Sequence, residues 1–418
     1  MIRSLYIAKT GLDAQQTQLD VVSNNLANVG TTGFKRSRAV FEDLMYQNMR
    51  QVGGQTSDQT RLPSGLQLGT GVRVVATERL HSQGNLTKTD NPKDVAINGG
   101  GFFQVKANDG STAYTRSGNF KLDKEGSLIT NNGAHLMGYP TDVKGVRQSF
   151  DAQPLRLPTG TPIPAKQTSK MTAEITLDAT AAVASTATPP TPLKTYGTSL
   201  TAYDPQGLEV PVGLYFEKTA NNTWNVYTSV NGADPAASTP FQLNFKTDGS
   251  LDTATSTVPT LTLASPNNPA QTFTASLDLG KMTQVNSRFA VADLSQDGYT
   301  SGQLTGIAIE NNGVITATYS NGQTQSAGQV ALVNFRNAQG LSPTGAGYWS
   351  QTFASGQPVR GAPGDGTLGQ LRSGALEESN VDLTAELVNM MTTQRAYQAN
   401  AQTIKTQDQV MSTLVNLR

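Results

Sequence analysis

The chain contains no cysteine, which excludes disulfide bridges and thiolate-bound metal as sources of stability. Its two histidines, His81 and His135, have no second histidine at ligand spacing, so no metal site is expected. Charge is scarce as well: Asp, Glu, Lys and Arg make up 15% of 418 residues, with 31 basic residues balancing 31 acidic ones. No net field favours nucleic acid or an anionic membrane, and neither partner is expected. No apolar run approaches the roughly 20 residues needed to cross a bilayer, so membrane insertion is not expected. Residues 1–29 carry Lys9, Asp13 and Asp20 within their apolar pattern, unlike a cleavable signal peptide.

Catalytic motifs are missing too. There is no Gly-x-Ser-x-Gly elbow and no phosphate loop ending in Gly-Lys-Ser/Thr. Gly99-Gly100-Gly101 leads into Phe102-Phe103 and another strand, where a dinucleotide site would need a helix. The stretch 293–298 lacks the alternating oxygens of a calcium loop and reads as a plain turn. Acidic residues are sparse and sit mostly in turns, so no catalytic residue and no cofactor is expected. Trp224 and Trp349 would be the carbohydrate platforms of a secreted β-rich adhesin, the reading of a different class, although a lone strand tryptophan is more often core.

What the chain does have is an apolar repeat at each end. Leu5, Leu12, Leu19 and Leu26 recur every seven residues, with Ala8, Gln15 and Val22 between them. Leu383, Met390, Tyr397, Ile404 and Met411 repeat likewise, joined by Leu387, Ala401 and Val415. A heptad stripe is narrow and becomes stable when another helix covers it. Termini ordinarily fray. Two terminal stripes therefore predict helices that fold against each other and against further copies of the chain.

The first helix is expected over 4–28, stopping where Gly30 takes the left-handed conformation. A second helical stretch is expected over 38–50, and an extended segment over 51–70. From Val72 onward the pattern is β, with turn pairs at Asp109-Gly110, Ser117-Gly118, Glu125-Gly126 and Asn132-Gly133. Strands are expected at 174–177, 209–216 and 224–229, with an exposed loop at 179–192. Two hairpins follow at Asn312-Gly313 and Asn321-Gly322. Ser379 or Asn380 is expected to cap the closing helix. The fold class is α+β: paired terminal helices of coiled-coil type, 1–30 and 380–418, around two nested β-rich domains. The middle domain is expected over 72–140 and 282–379, the outer insert over 141–281, with 31–71 linking.

Several stretches resemble one protein family. Gly11-Leu12-Asp13-Ala14, Ser23-Asn24-Asn25-Leu26-Ala27-Asn28 and Thr32-Gly33-Phe34-Lys35 are similar to the opening of bacterial flagellar rod and hook proteins. So are Asp94-Val95-Ala96-Ile97, Gly101-Phe102-Phe103, Ser379-Asn380-Val381-Asp382-Leu383 and Gln394-Arg395-Ala396-Tyr397. Within that family the first third looks like a distal rod protein, through Leu62, Pro63, Ser64, Gly65, Leu66, Gly69 and Gly71. From Leu136-Met137-Gly138-Tyr139-Pro140 onward the text looks like a hook protein, and the large insert is expected to be absent from distal rod proteins.

The resemblance implies a homo-polymeric tube lined by the terminal helices, through Leu5, Leu12, Leu19, Val22 and Leu26 against Leu383, Leu387, Met390, Tyr397, Ile404 and Met411. It further implies export without a cleaved signal peptide through the flagellar type III export apparatus. The implied location is the extracellular hook. The implied neighbours are the distal rod protein, the hook-capping protein and the hook–filament junction protein. The linking segment would join subunits and make a hook stiffer.

Overall fold

A computed structural model describes residues 2–44, 47–50, 55–57, 60–61, 66–160, 162–187 and 191–416. Leu62, Pro63, Ser64 and Gly65 of the expected linking segment lie outside these residues. The architecture is α+β, with helix α1 (Ile2–Ala27) at one end of the chain and helix α2 (Leu383–Asn416) at the other. All other described regular structure is strand or short 3-10 turn.

The chain forms two compact units, the first being Met1–Leu157, Ile307–Ala317 and Gln325–Arg418, and the second Pro158–Gly306 with Thr318–Thr324. The insert is thus displaced from the expected 141–281. Gln153–Pro154 pairs with His135–Tyr139 and stays with the first unit, while Ala290–Gln296 completes the sheet of Lys170–Asp178 in the second.

The second unit holds two sheets, one built around Lys170–Asp178 and the other on Gly197–Tyr203, Glu209–Ala220, Thr223–Val230 and Phe241–Asn244. Alternate residues of both, including Met171, Ile175, Val212, Phe216 and Trp224, share one core. Trp224 is fully buried and donates Nε1–H to Gln284 Oε1 at 3.2 Å; Trp349 is buried in the first unit beside Phe102. Neither tryptophan offers a carbohydrate platform. The expected turn at 293–298 is largely strand, since Asp293 and Ser295 pair with Glu174 and Thr172. The loop after Asp178 is less exposed than expected: Ala184 is buried and its N–H donates to the Lys218 carbonyl at 2.9 Å.

In the first unit, the described residues of the stretch expected as a helix over 38–50 are instead strand, in one arm of a long hairpin. Ser37–Asp43 pairs antiparallel with Val72–Arg79, and Gln47–Arg50 with Leu66–Leu68. Its alternating residues find their partners 29 to 42 positions later, a non-local pairing that overrides helical spacing. Two cross-strand ion pairs brace it, Arg38 with Glu78 at 2.9 Å and Arg73 with Glu42 at 2.8 Å. Both are exposed, so each contributes little to stability.

Candidate assembly surface and its polar junction

The helices run antiparallel. Gly11 of α1 lies against Asn400 of α2, where an added Cβ would sit 3.0 Å from Asn400 Nδ2, while the chain leaving α1 meets the start of α2. Within α1 the buried positions are Ala8, Ala14, Val22 and Asn25; Leu12, Leu19 and Leu26 are half-buried and Leu5 is exposed. On α2, Met390, Tyr397 and Ile404 are half-buried, whereas Leu383, Leu387 and Met411 are exposed. The leucine heptad is therefore not a coiled-coil seam closed within the chain. Small side chains bring the helices together and leave larger apolar ones facing outward.

The hairpin lies along the same helix. Ser37 N–H donates to Asn25 Oδ1 at 2.9 Å, and Asn25 Nδ2 donates back to the Ser37 carbonyl at 2.7 Å. Further along, Val72 N–H reaches Thr10 Oγ1 at 3.4 Å, and Arg3 donates to the Gly69 carbonyl at 3.4 Å. Gly71 is needed there: its φ is +125°, and a Cβ would lie 2.2 Å from Thr10 Oγ1. Of the expected linking residues, Gly69 and Gly71 thus fasten to α1, and Leu66 begins a strand.

At its far end the helix pair is rooted in a buried ionic junction. Lys35 Nζ lies 2.6 Å from Glu377 Oε1 and donates to the Ser82 carbonyl at 2.7 Å. Arg116 Nη1 approaches the other carboxylate oxygen at 3.1 Å, and its Nη2 donates to the Gly99 carbonyl at 2.7 Å. Burial lowers the pKa values of Lys35 and Arg116, and Glu377 opposes this by favouring both charged forms. Asn380 accepts from Arg36 N–H at 2.7 Å and donates to the Leu80 carbonyl at 2.8 Å. Arg36 pairs with the buried Glu386 of α2 at 3.0 Å.

Two local details differ from expectation because of this junction. Gly33, not Gly30, takes the left-handed conformation, at φ +70° against the backbone of Arg116 and Ser117. With Asn380 engaged in the junction, the α2 cap falls on Asp382, whose Oδ1 accepts from Thr384 and Ala385 N–H at 2.9 and 3.0 Å. Residue-type reasoning missed Lys35, Arg116 and Glu377 as partners. The signal available was that Lys35 and Asn380 both stand in the motif text at the two ends.

Above the junction, apolar side chains stand in solvent: Leu383, Leu387, Val388 and Met391 near the start of α2, and Leu5, Tyr6, Ile7, Val410 and Met411 at the opposite end of the pair. Among the described residues no helix is long and apolar enough to cross a membrane. Residues 5–35 match the model for flagella basal body rod proteins, and 96–184 the flagellar hook protein FlgE/F/G D1 domain. Residues 176–299 match the flagellar basal body protein FlaE D2 domain, and 372–417 the flagellar basal body rod FlgEFG protein C-terminal model. The chain is 39% identical to the flagellar hook protein FlgE of Salmonella typhimurium over 98% of its own length and 99% of that protein's. It belongs to the flagellar hook protein family.

As a hook-family member it is a structural subunit of the flagellum. Other family matches refine the expectation about the insert. A flagellar basal-body rod protein FlgG of Buchnera aphidicola is 36% identical over 100% of both chains, so the insert does not by itself separate rod from hook. The fold resembles the crystal structure of Helicobacter pylori flagellar hook protein FlgE2, with a TM-score of 0.53 at 16% identity, covering 70% of this chain and 100% of that one.

Proposed function

We propose that copies of this chain stack into a hook tube that works as a universal joint, with α1 and α2 as the inner lining and the β-rich parts outside. The observation that carries this reading is the outward apolar face of a helix pair anchored at its root by buried charges. Covering that face with a neighbour removes apolar area from water at roughly 25 cal/mol per Å². Leu12, Leu19, Leu26, Met390, Tyr397 and Ile404, half-buried in one chain, become fully covered in the tube. Function then comes from geometry, and no catalysis is needed: axial contacts hold while outer contacts slide as the joint turns.

The subunit is exported through the type III apparatus without a cleaved signal peptide and adds outside the cell beneath the capping protein. The distal rod protein and the hook–filament junction protein are its neighbours at the two ends of the tube. The hairpin running along α1 favours a stiffened hook, because a braced two-stranded arm resists bending more than a loose linker. Electron microscopy of the purified protein at high concentration tests the reading. Tubes are expected from the unmodified chain and not from Leu19→Asp or Ile404→Asp, with the second β-rich unit still folded by near-UV circular dichroism. Normal tubes from both variants overturn it.

A further inference from the structure

Sulfur chemistry in this chain rests on methionine alone, because there is no cysteine and there are nine methionines. With thiols absent, the thioether is the group that dilute hydrogen peroxide attacks most readily, and exposure decides which sulfur is reached. The methionines divide sharply on that criterion. Met137, Met171 and Met282 are buried, and Met390 on α2 is half-buried. Among the methionines whose side chains are described, Met391 and Met411 stand in solvent, at 51% and 42% exposure. Both lie on α2, and each falls in one of the two apolar patches that the helix pair leaves in water. Met391 continues the line of Leu383 and Leu387 at the next four-residue step, with Val388 beside it. Met411 follows the exposed Val410 near the other end of the helix.

Oxidation changes what these patches are. Hydrogen peroxide transfers one oxygen atom to the thioether sulfur: the O–O bond breaks, an S–O bond forms and water leaves. The sulfur loses two electrons and the peroxide gains them, so no further reactant is needed. The sulfoxide is polar and accepts hydrogen bonds, and covering it with apolar side chains that offer no donor carries a desolvation cost. In the free subunit both sulfoxides stay in water and cost the fold little. We propose that Met391 and Met411 form an oxidation-sensitive gate on polymerisation. Peroxide converts the free subunit into a form that stays folded but no longer joins a tube, whereas subunits already in a tube keep both thioethers shielded. Enzymatic reduction of the sulfoxides reopens the gate. The inference rests on the tube reading and adds a chemical control to it.

The test treats purified subunit with hydrogen peroxide at neutral pH and follows each methionine by peptide mass spectrometry. Residues 391 and 411 are expected to gain oxygen about tenfold faster than residues 137, 171 and 282. The oxidised subunit, unchanged in near-UV circular dichroism, is expected to need about tenfold more protein to form tubes, equivalent to about 1.4 kcal/mol. Met391→Leu/Met411→Leu keeps apolar volume and should form tubes equally well before and after peroxide. If that variant does not assemble, Met391→Ile/Met411→Ile takes its place. Treating the oxidised native subunit with the two stereospecific methionine sulfoxide reductases should restore tubes, a readout that needs no variant. Uniform oxidation rates, undiminished assembly after oxidation, equal loss in the substituted chain or no recovery on reduction overturns the gate. Equal oxidation of the two residues in preformed tubes and in free subunit overturns the shielding. All of these outcomes leave the tube reading standing; if the untreated chain forms no tubes, both fall.

Discussion

Lys35 and Glu377 meet at 2.6 Å although 342 positions separate them in the chain, and both side chains are completely buried. With Arg116 on the other carboxylate oxygen, one acid serves two buried cations from distant parts of the sequence. The pair ties the chain leaving α1 to the chain entering α2, so the root of the helix pair is set by long-range electrostatics.

Glu377→Gln keeps the shape of this junction and removes its charge, leaving two buried cations without a counter-ion. Loss of about 3–5 kcal/mol is expected, seen as a lower urea midpoint for the first unit. Lys35→Met in the Glu377→Gln background should recover part of that loss. An additive double variant would mean that the two groups act independently.

His81 is expected to make the junction sensitive to acid. Its ring stands edge-on to Phe102 and Trp349, with centroids 5.7 and 6.0 Å away, and its Nδ1 is buried without a hydrogen-bond partner. Burial, reinforced by Lys35, Arg116 and Arg79, pushes its pKa down from 6.5 to about 4. A folded pKa below the unfolded one means that the unfolded chain binds the proton more readily. Stability is therefore intact above pH 6.5 and falls as the pH drops from 6.5 towards 4, by at most about 3 kcal/mol. Urea midpoints across that window should fall more steeply for the native chain than for His81→Leu. Parallel curves would show that His81 does not carry the effect.

Gly33→Ala is expected to destabilise the helix root. The residue sits at φ +70°, and a Cβ would lie 2.7 Å from Ser117 N and 2.8 Å from the Arg116 carbonyl carbon. The left-handed conformation alone costs about 1 kcal/mol, and the backbone clash adds to it. Thermal unfolding of Gly33→Ala should show a clear drop, while Gly30→Ala, where a Cβ meets nothing within 4 Å, should change little.

If the hairpin stiffens the polymer, removing residues 47–67 should yield tubes that curve and bend. Electron micrographs compare the two: an unchanged shape would separate the hairpin from stiffness, and loss of tubes would make it a joining element instead.

Much of the architecture was legible in the order of residues. The heptads at both ends announced helices, the glycine turn pairs announced short strands, and the motif text named the family. The partners of those elements were harder to see. Ser37–Asp43 reads as well as a helix until Val72–Arg79 is brought beside it. Leu5 and Leu383 read as seam residues until the helices meet at Gly11 and Asn400 and leave them outside.

Periodicity and turn chemistry act over a few residues, so the kinds of element follow from residue order alone, as does the absence of thiol chemistry. Which groups share a low-dielectric interior follows from the folding of distant segments together. Pairing Lys35 with Glu377 and Arg116 depends on distance in space, and in such an interior an unmatched charge costs several kcal/mol. The tertiary structure also decides which apolar residues stay in water and so await a neighbouring subunit.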